Sequence, residues 1–191
     1  MRKIVLDIET KNTFRDTGSS DPRMLDISLL VAYDSHTDTY YDYLEDEFSG
    51  LWKLLESADM IIGYNSDHFD IPLLNKYYPG DLHQIKSLDI LKEIEKSLGK
   101  RIRLDAVADG TLGKKKSGNG LDAIAWWKTG EIEKIRHYCK DDVKITKEVY
   151  EYALKNKHLK YRDLDGVHTI PIDTKDWEKK KEASVNFTLP F

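Results

Sequence analysis

The chain opens on an apolar run, Ile4-Val5-Leu6, that continues into Asp7-Ile8-Glu9-Thr10, so two carboxylates stand two residues apart among β-branched and aliphatic neighbours. That composition predicts a strand. On a strand, residues two apart share a face, which puts Asp7 and Glu9 side by side and Leu6 and Ile8 on the opposite face. The stretch from Lys11 to Asp26 is polar and rich in turn formers and reads as a loop. Ser28 to Tyr33 and Thr39 to Leu44 are strand-like and flank the turn residues 34–38, predicting three antiparallel strands at the start. The period then changes. Phe48, Leu51, Trp52, Leu54 and Leu55 recur at helical spacing, and a short apolar strand, Met60-Ile61-Ile62-Gly63, follows.

Further helices are expected over 71–77, 88–98, 104–112 and 121–128, with Pro72 placed in a first turn where it is tolerated. A long helix should run from about Glu131 to Leu154, and residues 161–172 read as a hairpin turning at Asp165-Gly166. Strands first and alternating units after them predict an α/β protein with a mixed sheet flanked by helices. The expected organisation is one domain over 1–155, a hairpin appendage over 156–173 and a charged, core-poor, flexible tail over 174–191.

At 191 residues the chain is long enough to bury roughly 70% of its unfolded surface around one core. No apolar run approaches the ~20 residues of a membrane-spanning helix, and the N-terminal run is too short for a signal-peptide core. A single cysteine, Cys139, rules out an intrachain disulfide and a cysteine-rich zinc site and fits a cytoplasmic location. The net charge of -4 argues against a broad phosphate-neutralising surface, so any nucleic-acid contact should be local. Lys114, Lys115 and Lys116 form one candidate cluster and Lys179 to Lys181 another; solvated loops explain both equally simply.

Two further segments carry acids where apolar residues would be expected. Gly63-Tyr64-Asn65-Ser66-Asp67-His68-Phe69-Asp70-Ile71-Pro72 leaves a buried strand and enters a helix, where ligands of open α/β sheets gather. Asp70 reads either as a helix cap or as a site acid, with Asn65 and Phe69 beside it offering an amide and an aromatic face. In the long helix, Ile132, Ile135, Cys139, Thr146, Val149 and Ala153 form one stripe, and Asp142 falls within it. A carboxylate on a core face must be neutral, hydrogen-bonded or metal-bound. Tyr138 lies about 40° from Asp142 round the helix, whereas His137 lies about 140° away and should face solvent. Asp7 and Glu9 alone are equally compatible with a strand ending in water or with half of a hard-metal site.

In this order and spacing, the LDIET strand, the N-x-x-x-F-D segment and the Y-x-x-x-D helix resemble the DEDD 3′–5′ exonuclease superfamily. The tyrosine version is similar to the proofreading exonuclease of family B DNA polymerases. The resemblance spans residues 1 to about 155 and implies a ribonuclease H-like five-stranded mixed sheet. It also implies that Asp7, Glu9, Asp70 and Asp142 hold two Mg²⁺ or Mn²⁺ ions, that Tyr138 assists the attacking water, and that Asn65 and Phe69 touch the terminal nucleotide. The expected activity is release of nucleoside monophosphates from single-stranded DNA or frayed 3′ ends. RNA trimming and an inert binding module of the same fold are the alternatives. No polymerase domain accompanies these motifs, and His137 also fits the spacing of the histidine branch. The last residues, Asn186-Phe187-Thr188-Leu189-Pro190-Phe191, resemble a sliding-clamp hook, with Asn where Gln is usual. The superficially similar glycine-flanked lysines lack the spacing of a triphosphate-binding loop.

Overall fold

The computed structural model describes residues 1–114 and 120–179; Lys115, Lys116 and the clamp-like peptide Phe187–Phe191 therefore lie outside the described residues. In chain order the elements are β1 (Lys3–Thr10), α1 (Phe14–Thr17), β2 (Ile27–Asp34), β3 (Thr39–Tyr43), α2 (Phe48–Glu56), β4 (Met60–Gly63) and α3 (Asp70–Asn75). They continue as β5 (Lys86–Asp89), α4 (Ile90–Leu98), α5 (Leu104–Leu112), α6 (Gly120–Lys128), α7 (Ile132–Asn156), β6 (His158–Asp163) and β7 (Gly166–Pro171). The five-stranded sheet has the order β3-β2-β1-β4-β5, with β6 and β7 forming a separate hairpin. β1 pairs antiparallel with β2 and parallel with β4, so it is the strand at which the sheet changes direction. No helix among the described residues is long and apolar enough to cross a membrane.

The alternation along β1 divides the core in two. Ile4, Leu6 and Ile8 pack with Leu30, Ala32 and Ile61 against side chains of α2 and α3. Val5 packs with Leu29, Val31 and Ile62 against Cys139, Val143 and Val149 of α7. Asp7 and Glu9 continue the row of Val5, opposite Val31 and Leu29 of β2, and therefore face α7. β2 is buried at every position because both faces of the sheet are covered there.

Three elements differ from the sequence expectation. Residues 86–89 form an edge strand paired with β4, and the helix expected from Leu88 begins at Ile90. A four-residue strand with a single large aliphatic, Leu88, has no detectable period, and its pairing with β4 is a long-range event. Asp89 caps α4, accepting from the Leu91 N–H at 2.9 Å. The loop 11–26 contains α1, closed by a reciprocal capping box in which Thr13 N–H donates to Asp16 Oδ2 at 2.8 Å and Asp16 N–H to Thr13 Oγ1 at 3.1 Å. Beyond Asp173, where loose chain was expected, residues 174–179 are docked. Trp177 is buried and stacks on Tyr150 with ring centres 5.7 Å apart, and the Lys86 ammonium donates to the carbonyls of Asp176 and Trp177, each at 2.8 Å.

The hairpin lies against α5 at Gly110, where a Cβ would meet the carbonyl carbon of Tyr161 at 2.5 Å. Backbone cannot step aside as a side chain can, so Gly110→Ala is expected to destabilise the fold by about 1–3 kcal/mol. Urea unfolding monitored by tryptophan fluorescence checks this; an unchanged midpoint would mean the hairpin shifts freely on α5.

Candidate active site

The three acid-bearing segments meet at one end of the sheet. A cleft of about 670 Å³ is lined by Asp7 and Glu9 of β1, Asp70 at the start of α3, and Tyr138 and Asp142 of α7. Asn65 and Phe69 of the β4–α3 connection line it as well. The place follows from topology: β1 and β4 are adjacent parallel strands, and both chains leave the sheet here. Gly63 ends β4 because the return is tight. A Cβ there would press on Ser66, whose side chain is fully buried.

Burial is severe for an acid cluster, with Glu9 7%, Asp70 4% and Asp142 3% exposed. Burial first, and the neighbouring Asp7 charge second, push the Asp70 carboxyl well above the usual carboxylate range; the Ile8 N–H bound to it works in the opposite direction. Cys139 lies one turn before Asp142 and is wholly buried, its Sγ donating to the Asp7 carbonyl at 3.3 Å and to Asp7 Oδ2 at 3.6 Å. Burial, then Asp7, Glu9 and Asp142, push this thiol up, so it stays a neutral donor among the acids. Ligand atoms of Asp7, Glu9 and Cys139 lie within 4.8 Å of one another. Four carboxylates on rigid elements, three of them nine-tenths buried, are a hard-oxygen donor set that fits a divalent cation of the magnesium type.

α7 begins at Ile132, before His137, and this decides which aromatic serves the cleft. Tyr138 is 4% exposed and sits edge-on to Trp126 with ring centres 6.0 Å apart, whereas His137 points to solvent. Asn65 is held in the left-handed region at φ 67°, and its N–H donates to Asp89 Oδ1 at 2.8 Å. Asp89 also receives the Asp67 N–H at 3.2 Å, so the acid that caps α4 fixes the whole turn bearing Asn65.

The RNase_H superfamily profile RNase_H_2 matches residues 4–154. The chain belongs to the RNase_H superfamily. Among solved structures, this RNase_H-superfamily chain is similar to the family B DNA polymerase of the hyperthermophilic archaeon Pyrobaculum calidifontis, with a TM-score of 0.63 at 21% identity, over 81% of this chain and 24% of that one. It is also similar to the zinc-bound form of E. coli ExoI in complex with single-stranded DNA, with a TM-score of 0.53 at 13% identity, over 82% of this chain and 41% of that one. The chain thus spans less than half the length of either. No curated protein matches it. The mixed five-stranded sheet implied by the motif resemblance and the terminal hairpin read from the Asp165-Gly166 turn are both observed, and the resemblance to the polymerase family is matched by fold.

Within this RNase_H-superfamily cleft, Asp7, Glu9, Asp70, Asp142, Tyr138, Asn65 and Phe69 come together. Lys114 does not join them: its ammonium pairs with Glu148 of α7 and it is not on the cleft wall. The wall residues that escaped the sequence reading include Asn12, Phe14, Arg103 and Leu121. Phe14 sits edge-on to Phe69, centres 6.1 Å apart. The basic run Lys100-Arg101-Ile102-Arg103 was the available signal for Arg103; the others stand in unremarkable polar or helical sequence.

Proposed function

We propose that this chain is a divalent-metal-dependent 3′–5′ exonuclease that releases nucleoside monophosphates from single-stranded or frayed ends, with DNA as its substrate. One observation carries it: acids from three distant segments line a single cleft together with Tyr138, while Asp141, next to Asp142 in the chain, faces solvent. Asp7, Glu9, Asp70 and Asp142 would hold two Mg²⁺ or Mn²⁺ ions, which when bound would lower the pKa of the attacking water and neutralise charge on the phosphate. The Tyr138 hydroxyl orients that water. Asn65 offers its amide to the terminal nucleotide, and the Phe69 ring offers a stacking face that tolerates any base, a contact of about 1–3 kcal/mol. Stacking on a splayed end favours single-stranded or frayed substrates and gives weak base preference.

Matched DNA and RNA strands labelled at the 5′ end, incubated with and without magnesium, test the assignment. A ladder shortening from the 3′ end, dependent on metal and faster on DNA, is expected. Internal cuts, shortening from the 5′ end, or no cleavage would overturn it, and faster RNA shortening would move the substrate to RNA. Tyr138→Phe keeps the packing on Trp126 and removes only the hydroxyl. Its kcat is expected to fall about tenfold to hundredfold with KM and Tm near those of the parent. Steady-state kinetics beside a thermal melt check this, and an unchanged kcat removes Tyr138 from the mechanism.

A further inference from the structure

A cleft lined by four carboxylates, in a chain of net charge -4, repels the polyanion it is proposed to bind. Among the described residues lining that cleft, Arg103 is the only basic one. It belongs to the connection between α4 and α5, and that connection is anchored rather than loose. Ile102 is 8% exposed in the core, and its carbonyl accepts the Tyr64 hydroxyl at 2.7 Å. With Ile102 buried, its neighbours Arg101 and Arg103 are exposed: Arg103 stands on the cleft wall, and Arg101 lies beside the wall residue Asn65, with Glu95 3.5 Å from its guanidinium. Arg103 is 81% exposed and pairs with Asp105 at 2.9 Å, a surface ion pair that contributes little and yields readily to a phosphate. Arg101 donates to Asn65 Oδ1. Because guanidinium is only a donor, this bond fixes the carbonyl side of the Asn65 amide toward Arg101 and turns its NH₂ away.

We propose that Arg101 and Arg103 form a two-arginine lip for the substrate strand. Arg103 binds a backbone phosphate next to the terminal nucleotide, and Arg101 is a positioning residue that holds the Asn65 amide with its NH₂ aimed at that nucleotide. The lip rests on the exonuclease assignment for its substrate, and the planar, bidentate fit of guanidinium to phosphate is the recognition it uses. Lys100, the other cation of the run, is taken up over the Tyr161 ring of the hairpin, 5.0 Å from its centre, and is not part of the lip.

The test combines binding and kinetics on the full chain. A 5′-fluorescein single-stranded DNA is titrated by anisotropy in EDTA at a series of salt concentrations, and hydrolysis of the same strand is followed in magnesium. Arg103→Ala should make the log–log salt slope shallower by about 0.7, the share of one single-strand phosphate contact. It should also raise KM roughly tenfold and leave kcat within about twofold. Arg101→Ala should lower kcat about tenfold, and Arg101→Lys, which still supplies one donor to Asn65 Oδ1, should recover part of it. Both guanidinium groups are at least half exposed, so the melting temperature should stay constant and exclude misfolding. A parental salt slope in Arg103→Ala, or a parental kcat in Arg101→Ala, overturns the lip. Cleavage from 3′ ends with an unaltered Arg103→Ala slope would reject the lip and keep the exonuclease; no cleavage with a shallower slope would do the reverse.

Discussion

Asp7→Asn is expected to lower magnesium-dependent hydrolysis by at least about a thousandfold while leaving the fold intact. Asp7 stands on the central strand, and its charge is felt by Asp70 on one side and by Cys139 on the other. It therefore stands within the electrostatic reach of the other buried groups of the cleft and would help hold a divalent cation bound there. Asparagine preserves volume and one acceptor oxygen, and the Cys139 thiol retains the Asp7 backbone carbonyl as its acceptor, so packing between β1 and α7 should survive. What is lost is the negative charge that a hard cation requires. Asp141→Asn is the matched control: one position from Asp142 on α7, exposed, and expected to stay within about twofold of the parent. Rates on a 5′-labelled strand, with circular dichroism on both variants, measure the contrast. Full activity in Asp7→Asn would remove the acid cluster from the chemistry.

Legibility followed the range of the interactions involved. The pairing of Asp7 with Glu9 on one face is a property of any strand, so it could be read from spacing two alone. The inward direction of Asp142 and Tyr138, and the outward direction of His137 and Asp141, followed from 100° per residue once the helix started ahead of His137. Helix 104–112 was read to the residue because apolar spacing and Gly113 mark both its body and its end. What escaped depends on contacts distant in sequence. β5 exists because β4 offers a free edge, and nothing within Lys86-Ser87-Leu88-Asp89 reports that edge. Trp177 falls in the stretch expected to be a charged, flexible tail, but Tyr150 and the Lys86 ammonium provide its dock. The lysine run drew attention to Lys114 because charge runs are visible locally, yet Lys114 found Glu148. Arg103 was the cation carried to the cleft, by the burial of its neighbour Ile102.

Asp70→Asn is expected to move activity and stability in opposite directions: hydrolysis falls about a thousandfold, and the metal-free protein melts higher at neutral pH by about 2–4 °C. The cause is the position of Asp70, 4% exposed and facing the Asp7 charge. Its folded carboxyl holds a proton to higher pH than the ordinary value of 3.8. Between that value and the raised one the folded state binds more protons than the unfolded chain, so metal-free stability is fully present at low pH and is lost as pH rises through the window. Asparagine carries no charge to bury, so the variant should lose this part of the pH dependence as well as gain stability. A divalent cation should reverse the penalty in the parent by neutralising the clustered charge, raising its melting temperature more than that of the variant. Melting curves from pH 4 to 8, in EDTA and in magnesium, separate these effects. A variant that melts below the parent at pH 7 in EDTA, with the same pH slope, would mean that Asp70 is held by hydrogen bonds strong enough to outweigh burial, and that the acid cluster carries no electrostatic strain for a metal to relieve.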